Sequence, residues 1–280
     1  MADKTISQED FFKFREFFYR KTGIQFEDSK RYFVDKRLIE RITATDSGNF
    51  RNYFVMLRFE TSGEELQALT NLMTVNETYF FREEYQFQCL VASILPEIIA
   101  HKKDYRPIRI WSMPSSSGEE AYSIAMYLLE YWPGISQWDV EIISSDIDTK
   151  ILAQARLGNY TTRSIQKLPP HLLEKYFKCN RDGYQICDDL RQAVEFTRVN
   201  LMKPSDVRPY REFDVIFCRN LLIYFDDLSR RAAADTFFDA LNPGGFLCLG
   251  HSESMSRISS LYQVRKFTDS VVYQKSKEGQ

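Results

Sequence analysis

The sequence predicts an α/β protein in which a doubly wound domain follows a small all-helical domain. Three observations predict it. Residues 8–72 carry helical periodicity with no strand pattern. From residue 107 short apolar runs alternate with helical segments, as expected of strands wound between helices. Between about 158 and 195 that rhythm breaks, which marks a small inserted β-subdomain.

The helical part reads QEDFFKFREFFYRKTG, SKRYFVDKRLIERITA, GNFRNYFVMLRF and GEELQALTNLM, four amphipathic stretches with polar or glycine punctuation. The expected division is 1–75 for the helical domain and 76–280 for the α/β domain. Within the latter, strands are expected at IRIWSM, VEIISSDI, VEFTRVN, FDVIFCRN and GFLCLG, and helices at GEEAYSIAMYLLEYW, DTKILAQARLG and DDLSRRAAADTFFDAL. The runs YQVRKF and SVVYQK, parted by Thr268 and Asp269, read as a hairpin that adds an antiparallel edge to a parallel sheet. The inserted segment holds one helical stretch and a small hairpin around Arg181-Asp182-Gly183.

The chain has 280 residues with 37 basic against 39 acidic side chains and 44% hydrophobic content, enough for one large core or two small ones. A formal charge of −2 gives no global field for polyanions, so no nucleic-acid partner is expected without a local basic patch. No run of about 18 apolar residues is present and the start MADKTISQED is polar, so neither a spanning helix nor a signal peptide is expected and the default compartment is the cytoplasm. Cys89, Cys179, Cys187, Cys218 and Cys248 show no C-x-x-C spacing, and the three histidines lie far apart, so neither disulfides nor a metal site is expected.

In an open α/β sheet the ligand lies beyond the carboxyl ends of the strands. After the first strand comes SMPSSSGEEAYS, with one glycine, Gly118, where a dinucleotide site shows G-x-G-x-x-G and a phosphate-loop NTPase shows G-x-x-x-x-G-K. Two carboxylates, Glu119 and Glu120, follow at the helix start and would repel a phosphate. A ligand with positive charge and no phosphate fits better, and S-adenosylmethionine has a sulfonium and an ammonium. The alternative is that both acids only complement the helix dipole. After the second strand, SSDID puts Asp146 where an acid accepts from both ribose hydroxyls, although Asp146 or Asp148 would equally serve as a helix N-cap. LNPGGFLCLG reads as a tight turn feeding a buried strand.

Taken in order, NETYFFRE, WSMPSSSGEEAYSIAM, ISSDIDTKIL, FDVIFCRNLLIYFD and LNPGGFLCLGHSES resemble the chemotaxis receptor glutamate methyltransferases, the CheR family. The resemblance spans most of the chain. It implies a Rossmann-like class I S-adenosylmethionine-dependent methyltransferase domain with a small β-subdomain behind a helical domain. Carried over by position, it implies that Asn76, Thr78 and Arg82 face the cofactor, with Glu120 at its methionine end and Asp146 on the ribose. Asn200 and Leu201 would frame the adenine, and Arg219, Asn220 and Tyr224 would line the wall near the methyl group. Phe80 and Phe81 are expected to pack, with Tyr79 open to either role. Some members carry a longer glycine-rich loop in the β-subdomain that docks a receptor's C-terminal peptide tether. Here KYFKCNRDGYQICDD is short with a single glycine, which suggests the tether-independent kind.

The implied reaction moves a methyl group to a glutamate carboxylate of a chemoreceptor, giving a methyl ester. A glutamate with pKa about 4.3 is already ionised at neutral pH, so no general base is required. His101, His171 and His251 are accordingly read as structural or surface residues. Arg82 and Tyr224 are the candidates for steering and orienting the carboxylate. A receptor bundle rich in glutamate would suit a basic face, and at 100° per residue Lys30, Arg37 and Arg41 form one stripe beside the apolar stripe Val34, Leu38, Ile42. A solvated helix with ordinary surface charge is the plainer reading. The enzyme is taken to be a monomer. The alternatives are a non-catalytic module that senses S-adenosylmethionine or scaffolds a signalling complex, then a methyltransferase acting on nucleic acid or a small molecule, then a nicotinamide oxidoreductase.

Overall fold

A computed structural model describes residues 5–102 and 106–276, so the first four residues of the polar start lie outside the described residues. Helix α1 (Gln8–Thr22) starts at Ser7, whose hydroxyl accepts the Asp10 N–H at 3.1 Å while the Asp10 carboxylate accepts the Ser7 N–H at 3.3 Å. It is followed by α2 (Arg31–Ala44), α3 (Phe50–Phe59) and α4 (Glu64–Met73). Their apolar stripes meet: Phe14 and Phe18, Val34, Leu38 and Ile42, Tyr53 and Leu69 are all buried in one cluster. Each such side chain contributes about 1.5–3 kcal/mol by leaving water.

A helix that the sequence reading does not assign leads to the sheet. It comprises α5 (Tyr85–Cys89), a π-helical turn over Leu90–Ile94 and α6 (Leu95–His101). The run LVASILPEIIA is apolar with a proline inside it, so neither a helical nor a strand period stands out. Next come β1 (Ile108–Ser112), α7 (Glu119–Tyr131), β2 (Val140–Asp146) and α8 (Thr149–Leu157). The inserted segment follows, with β3 (Asn159–Tyr160), α9 (Thr162–Ile165), α10 (Pro170–Tyr176), β4 (Phe177–Asn180), β5 (Gly183–Ile186) and α11 (Asp188–Gln192). Its three strands form a separate antiparallel sheet in the order β3-β5-β4. The main sheet resumes with β6 (Val194–Arg198), α12 (Pro204–Val207), β7 (Phe213–Cys218), α13 (Asp227–Ala240), β8 (Leu241–Leu249), β9 (Tyr262–Lys266) and β10 (Val271–Lys275).

The main sheet has seven strands in the order β6-β2-β1-β7-β8-β10-β9. The first five run parallel, and the hairpin β9–β10 adds the antiparallel edge through β10 on β8. Strand β1 pairs with β2 on one side and β7 on the other, so the winding reverses there. The carboxyl ends of β1, β2 and β7 diverge at that switch point, which is where such sheets open a crevice.

The helical domain is tied across the same strand ends. Gln67 Nε2 donates to the Ile147 carbonyl at 2.8 Å, and Asn71 Nδ2 to Thr149 Oγ1 at 2.9 Å. On the other side the Gln25 N–H donates to the Tyr224 carbonyl at 3.1 Å, and the Tyr19 hydroxyl to Asp226 at 2.9 Å. The helices therefore roof the crevice.

Candidate active site

A cavity of about 460 Å³ lies in this crevice, between the ends of β1, β2 and β7 and the helical roof. That volume is in the range of small-molecule sites. Its lining includes Asn76, Thr78, Arg82, Glu120, Asp146, Arg219, Asn220 and Tyr224. Of the Gly-Glu-Glu turn, Glu120 reaches this lining. Gly118 has φ +92°, and a Cβ there would stand 3.1 Å from both Ala155 and Phe196, so the turn needs glycine for conformation and for close packing alike.

The two acids of that turn differ. Glu119 is 1% exposed and accepts from Ser117 Oγ at 2.7 Å, away from the lining, whereas Glu120 reaches the cavity and accepts from Ser112 Oγ at 2.8 Å. Burial pushes both carboxyls above the usual range, and for Glu120 the Arg219 charge works against that rise. Asp146 at the end of β2 is 3% exposed, and burial raises it to about 6 although it accepts the Ser116 and Asp148 N–H groups at 2.8 and 3.0 Å. Asp148, not Asp146, caps α8 through the Lys150 and Ile151 N–H groups. Its second oxygen accepts from Thr74 Oγ1 at 2.6 Å and Asn76 Nδ2 at 2.9 Å, which fixes the strap 74–78 along the cavity.

Arg219 binds the walls together. Its side chain is 2% exposed and lies 3.0 Å from Glu120 and 3.3 Å from Glu83. A further N–H donates to the Arg82 carbonyl at 2.5 Å. The segment it holds is strained: Phe81 and Glu83 have φ of +58° and +54°, a region that bulky side chains avoid. The Phe81 N–H donates to Ser123 Oγ at 3.1 Å and the Phe80 N–H to the Ser164 carbonyl at 2.9 Å, so the bend is held from both sides. Phe80 and Phe81 are buried in the core, while Tyr79 lines the cavity with Arg82 5.9 Å from its ring centre. Arg82 Nη1 donates to the Glu77 carbonyl at 3.1 Å, and Arg82 lines the cavity. Burial raises the Tyr224 hydroxyl above its ordinary pKa, so it is a proton-bearing donor at neutral pH.

Four site residues expected from the sequence fall elsewhere. Asn200 and Leu201 are buried beside the cavity but outside its lining, and Asn200 Nδ2 donates to the Lys21 carbonyl at 2.7 Å, which ties α1 to the loop after β6. Arg37 and Arg41 are not displayed cations. Arg37 donates to the Leu72 carbonyl at 2.5 Å in the last turn of α4 and sits 3.4 Å from the Phe33 ring centre. Arg41 grips Glu65 in a two-pronged pair at 2.9 and 2.6 Å. A stripe bordering the buried face of α2 turns onto the neighbouring helix, which the helical wheel of α2 alone does not reveal. Lys30 does reach the cavity, from the start of α2. None of His101, His171 and His251 lines it.

Sequence reasoning missed Glu253, which follows β8 in GHSES and accepts N–H groups from the loop after β7. It also missed Ile24, Phe26 and Phe33, which bring an apolar wall from the helical domain. An acid just past the last strand glycine was the available signal for Glu253. The apolar wall had none, because it depends on how the domains meet.

A second cavity, of about 370 Å³, lies at the opposite ends of the strands and includes Lys102, Arg109 and Asp214 in its lining. There the charges pair with protein: Lys102 with Asp214 at 3.1 Å and Arg109 with Glu141 at 2.8 Å. It holds none of the site residues expected from the sequence.

Residues 9–74 match the family described as CheR methyltransferase, all-alpha domain, and residues 76–271 match CheR methyltransferase, SAM binding domain. The chain belongs to the CheR methyltransferase family. It is 56% identical over 280 residues to chemotaxis protein methyltransferase 2 of Vibrio cholerae, covering 100% of this chain and 97% of the relative. It is 37% identical over 261 residues to chemotaxis protein methyltransferase 2 of Pseudomonas aeruginosa, covering 91% of this chain and 90% of the relative. To the chemotaxis protein methyltransferase of Salmonella typhimurium it is 34% identical over 277 residues, covering 98% and 92%. As a CheR protein it is an S-adenosylmethionine-dependent methyltransferase of chemotaxis, and the cavity fits that cofactor. The partly buried Glu120 and the buried Asp146 suit an ammonium and a ribose, and the turn before Glu120 lacks the glycines that crowd amides around a pyrophosphate.

Proposed function

We propose that this CheR protein methylates glutamate side chains on the cytoplasmic helical bundle of a chemoreceptor, giving glutamate methyl esters and S-adenosylhomocysteine. The observation that carries this reading is a cavity lining that brings two carboxylates from the strand ends, Glu120 and Asp146, together with the cation Arg82. The acids suit a positively charged donor and the cation suits an incoming carboxylate. When bound, the cofactor supplies an electrophilic methyl group on a sulfonium sulfur. All else is positioning.

Asp146 and Glu120 would hold the ribose and the ammonium, with Asn76 and Thr78 along the strap beside them. Arg219 keeps Glu120 in place as a carboxylate. Arg82 draws in the substrate carboxylate, and the Tyr224 hydroxyl orients it as a donor. The apolar wall of Ile24, Phe26 and Phe33 sheds the water that would otherwise solvate the nucleophile. A carboxylate needs no base, in keeping with a lining that lacks histidine. Lys30, at the rim, faces the acidic bundle. The β4–β5 turn has only Arg181 and Asp182 between its strands, which supports action without a receptor tether. We take the enzyme to work as a cytoplasmic monomer.

The test is calorimetric titration with S-adenosylmethionine, then turnover on a receptor cytoplasmic fragment by Arg82→Ala and Tyr224→Phe. Both variants should bind cofactor within a few-fold of wild type and turn over about ten- to hundredfold more slowly. Unchanged turnover in both sinks the assigned roles. Binding by the wild type with no transfer to any receptor fragment points instead to a sensor of the cofactor.

A further inference from the structure

The loop that follows β7 carries Arg219, Asn220 and Tyr224, three residues of the cavity lining; its later residues close a short turn through the Tyr224 and Phe225 N–H groups, whereas the Asn220 and Leu222 N–H groups bond outside it. Asn220 has φ +58°. The N–H groups of Asn220 and Leu222 point out of the loop toward the end of the neighbouring strand, β8. There one side chain takes both: Glu253 Oε2 accepts from Asn220 at 2.7 Å and Oε1 accepts from Leu222 at 2.8 Å. The Gly250 N–H donates to the same Oε2 at 3.0 Å, closing the loop after β8 onto the carboxylate. Gly250 is itself constrained, since a Cβ there would lie 2.8 Å from Glu253 Oε2 and 3.0 Å from the Asn220 nitrogen. Burial raises the Glu253 carboxyl, and the loop amides oppose the rise by favouring the charged form. Glu253 does not line the cavity.

We propose that Glu253 is a positioning residue for methyl transfer: its carboxylate clamps the backbone of residues 220–222 and so sets the wall that presents Arg219, Asn220 and Tyr224. This deepens the reading above and rests on it for the reaction measured. A clamp worth only stability would lower the folded fraction and leave each folded molecule fully active. A positioning clamp slows folded molecules, because a displacement of about 1 Å in a positioning group costs on the order of a hundredfold in rate.

Two independent variants test it. Glu253→Gln keeps length and shape but turns an NH2 toward one of the loop donors, and Gly250→Ala keeps the carboxylate but wedges it away from Asn220. Each is measured below its melting temperature, on a receptor cytoplasmic fragment at saturating cofactor, with amide hydrogen exchange on the same samples. Both should show kcat lower by about ten- to hundredfold, receptor KM changed less than threefold, and fast exchange at Asn220 and Leu222 with β7 still protected. Glu253→Asp, which keeps the charge, should recover part of the rate. Unchanged kcat in Glu253→Gln and Gly250→Ala overturns the proposal. If the wild type binds cofactor but transfers nothing, the functional reading fails and exchange decides alone. Slow exchange at Asn220 and Leu222 lost in Glu253→Gln then upholds the clamp, and fast exchange already present in the wild type overturns it.

Discussion

Arg219 and Arg41 make nearly the same local structure in two different domains. Arg219 lies between Glu120 and Glu83 with its side chain 2% exposed, and Arg41 grips Glu65, whose other partner is the Tyr53 hydroxyl at 2.7 Å. Both are guanidinium groups on mostly buried carboxylates. They differ in what lies beside the pair. The Arg219 network opens on a cavity and holds a strained backbone at its rim, while the Arg41 pair joins α2 to α4 with its guanidinium side chain 21% exposed and lines no part of that cavity. A buried ion pair therefore marks architecture as readily as a site, and only the adjoining cavity separates the two.

The largest effect should come from Arg219→Ala. Removing the cation leaves two acids without their partner, a change that costs about 3–5 kcal/mol in comparable buried pairs. Chemical denaturation should show that loss, and calorimetry should show cofactor binding weakened at least tenfold in the folded fraction. Arg41→Ala should cost about 2–4 kcal/mol by the same physics, yet leave cofactor affinity and receptor turnover per folded molecule unchanged. A raised receptor KM in folded Arg41→Ala would restore α2 as a display of cations and break the contrast.

Asp146 gives a smaller, pH-dependent effect. Its carboxyl is raised in the folded chain to about 6, against about 3.9 for a free side chain, so folding favours its protonated form. Its contribution to stability is thus complete below pH 4 and is lost as pH rises through 6, by about 3 kcal/mol at most. Asp146→Asn should flatten that part of the stability profile. Cofactor affinity should follow the opposite course, weakening below pH 6 in the wild type as the carboxylate is protonated, and staying weak and flat in the variant. The smallest expected change is Lys30→Ala, a rim charge, with receptor KM raised about two- to fivefold, most at low salt, and an unaltered melting temperature.

The α/β domain was legible because its chemistry sits in loops that topology places. SSDID and SGEE follow strands, so Asp146 and Glu120 had to emerge at the switch point once β1, β2 and β7 formed one sheet. Arg37 and Arg41 were misread because a helical wheel gives the angle of a side chain but not which helix lies across from it. Asn200 was displaced for a related reason: its amide meets the Lys21 carbonyl, a contact between residues 179 apart in sequence. Glu253 was marked in the sequence only as an acid just past the last strand glycine, because its partners are backbone N–H groups, which have no residue signature of their own.

The measurement that bears most directly on the central claim is transfer of a labelled methyl group from S-adenosylmethionine to a receptor cytoplasmic fragment, followed by treatment with alkali. Glutamate methylation predicts label on the receptor that alkali releases as methanol, since a carboxyl methyl ester hydrolyses there. Label that survives alkali would be an N-methyl or ether product and would contradict glutamate as the acceptor.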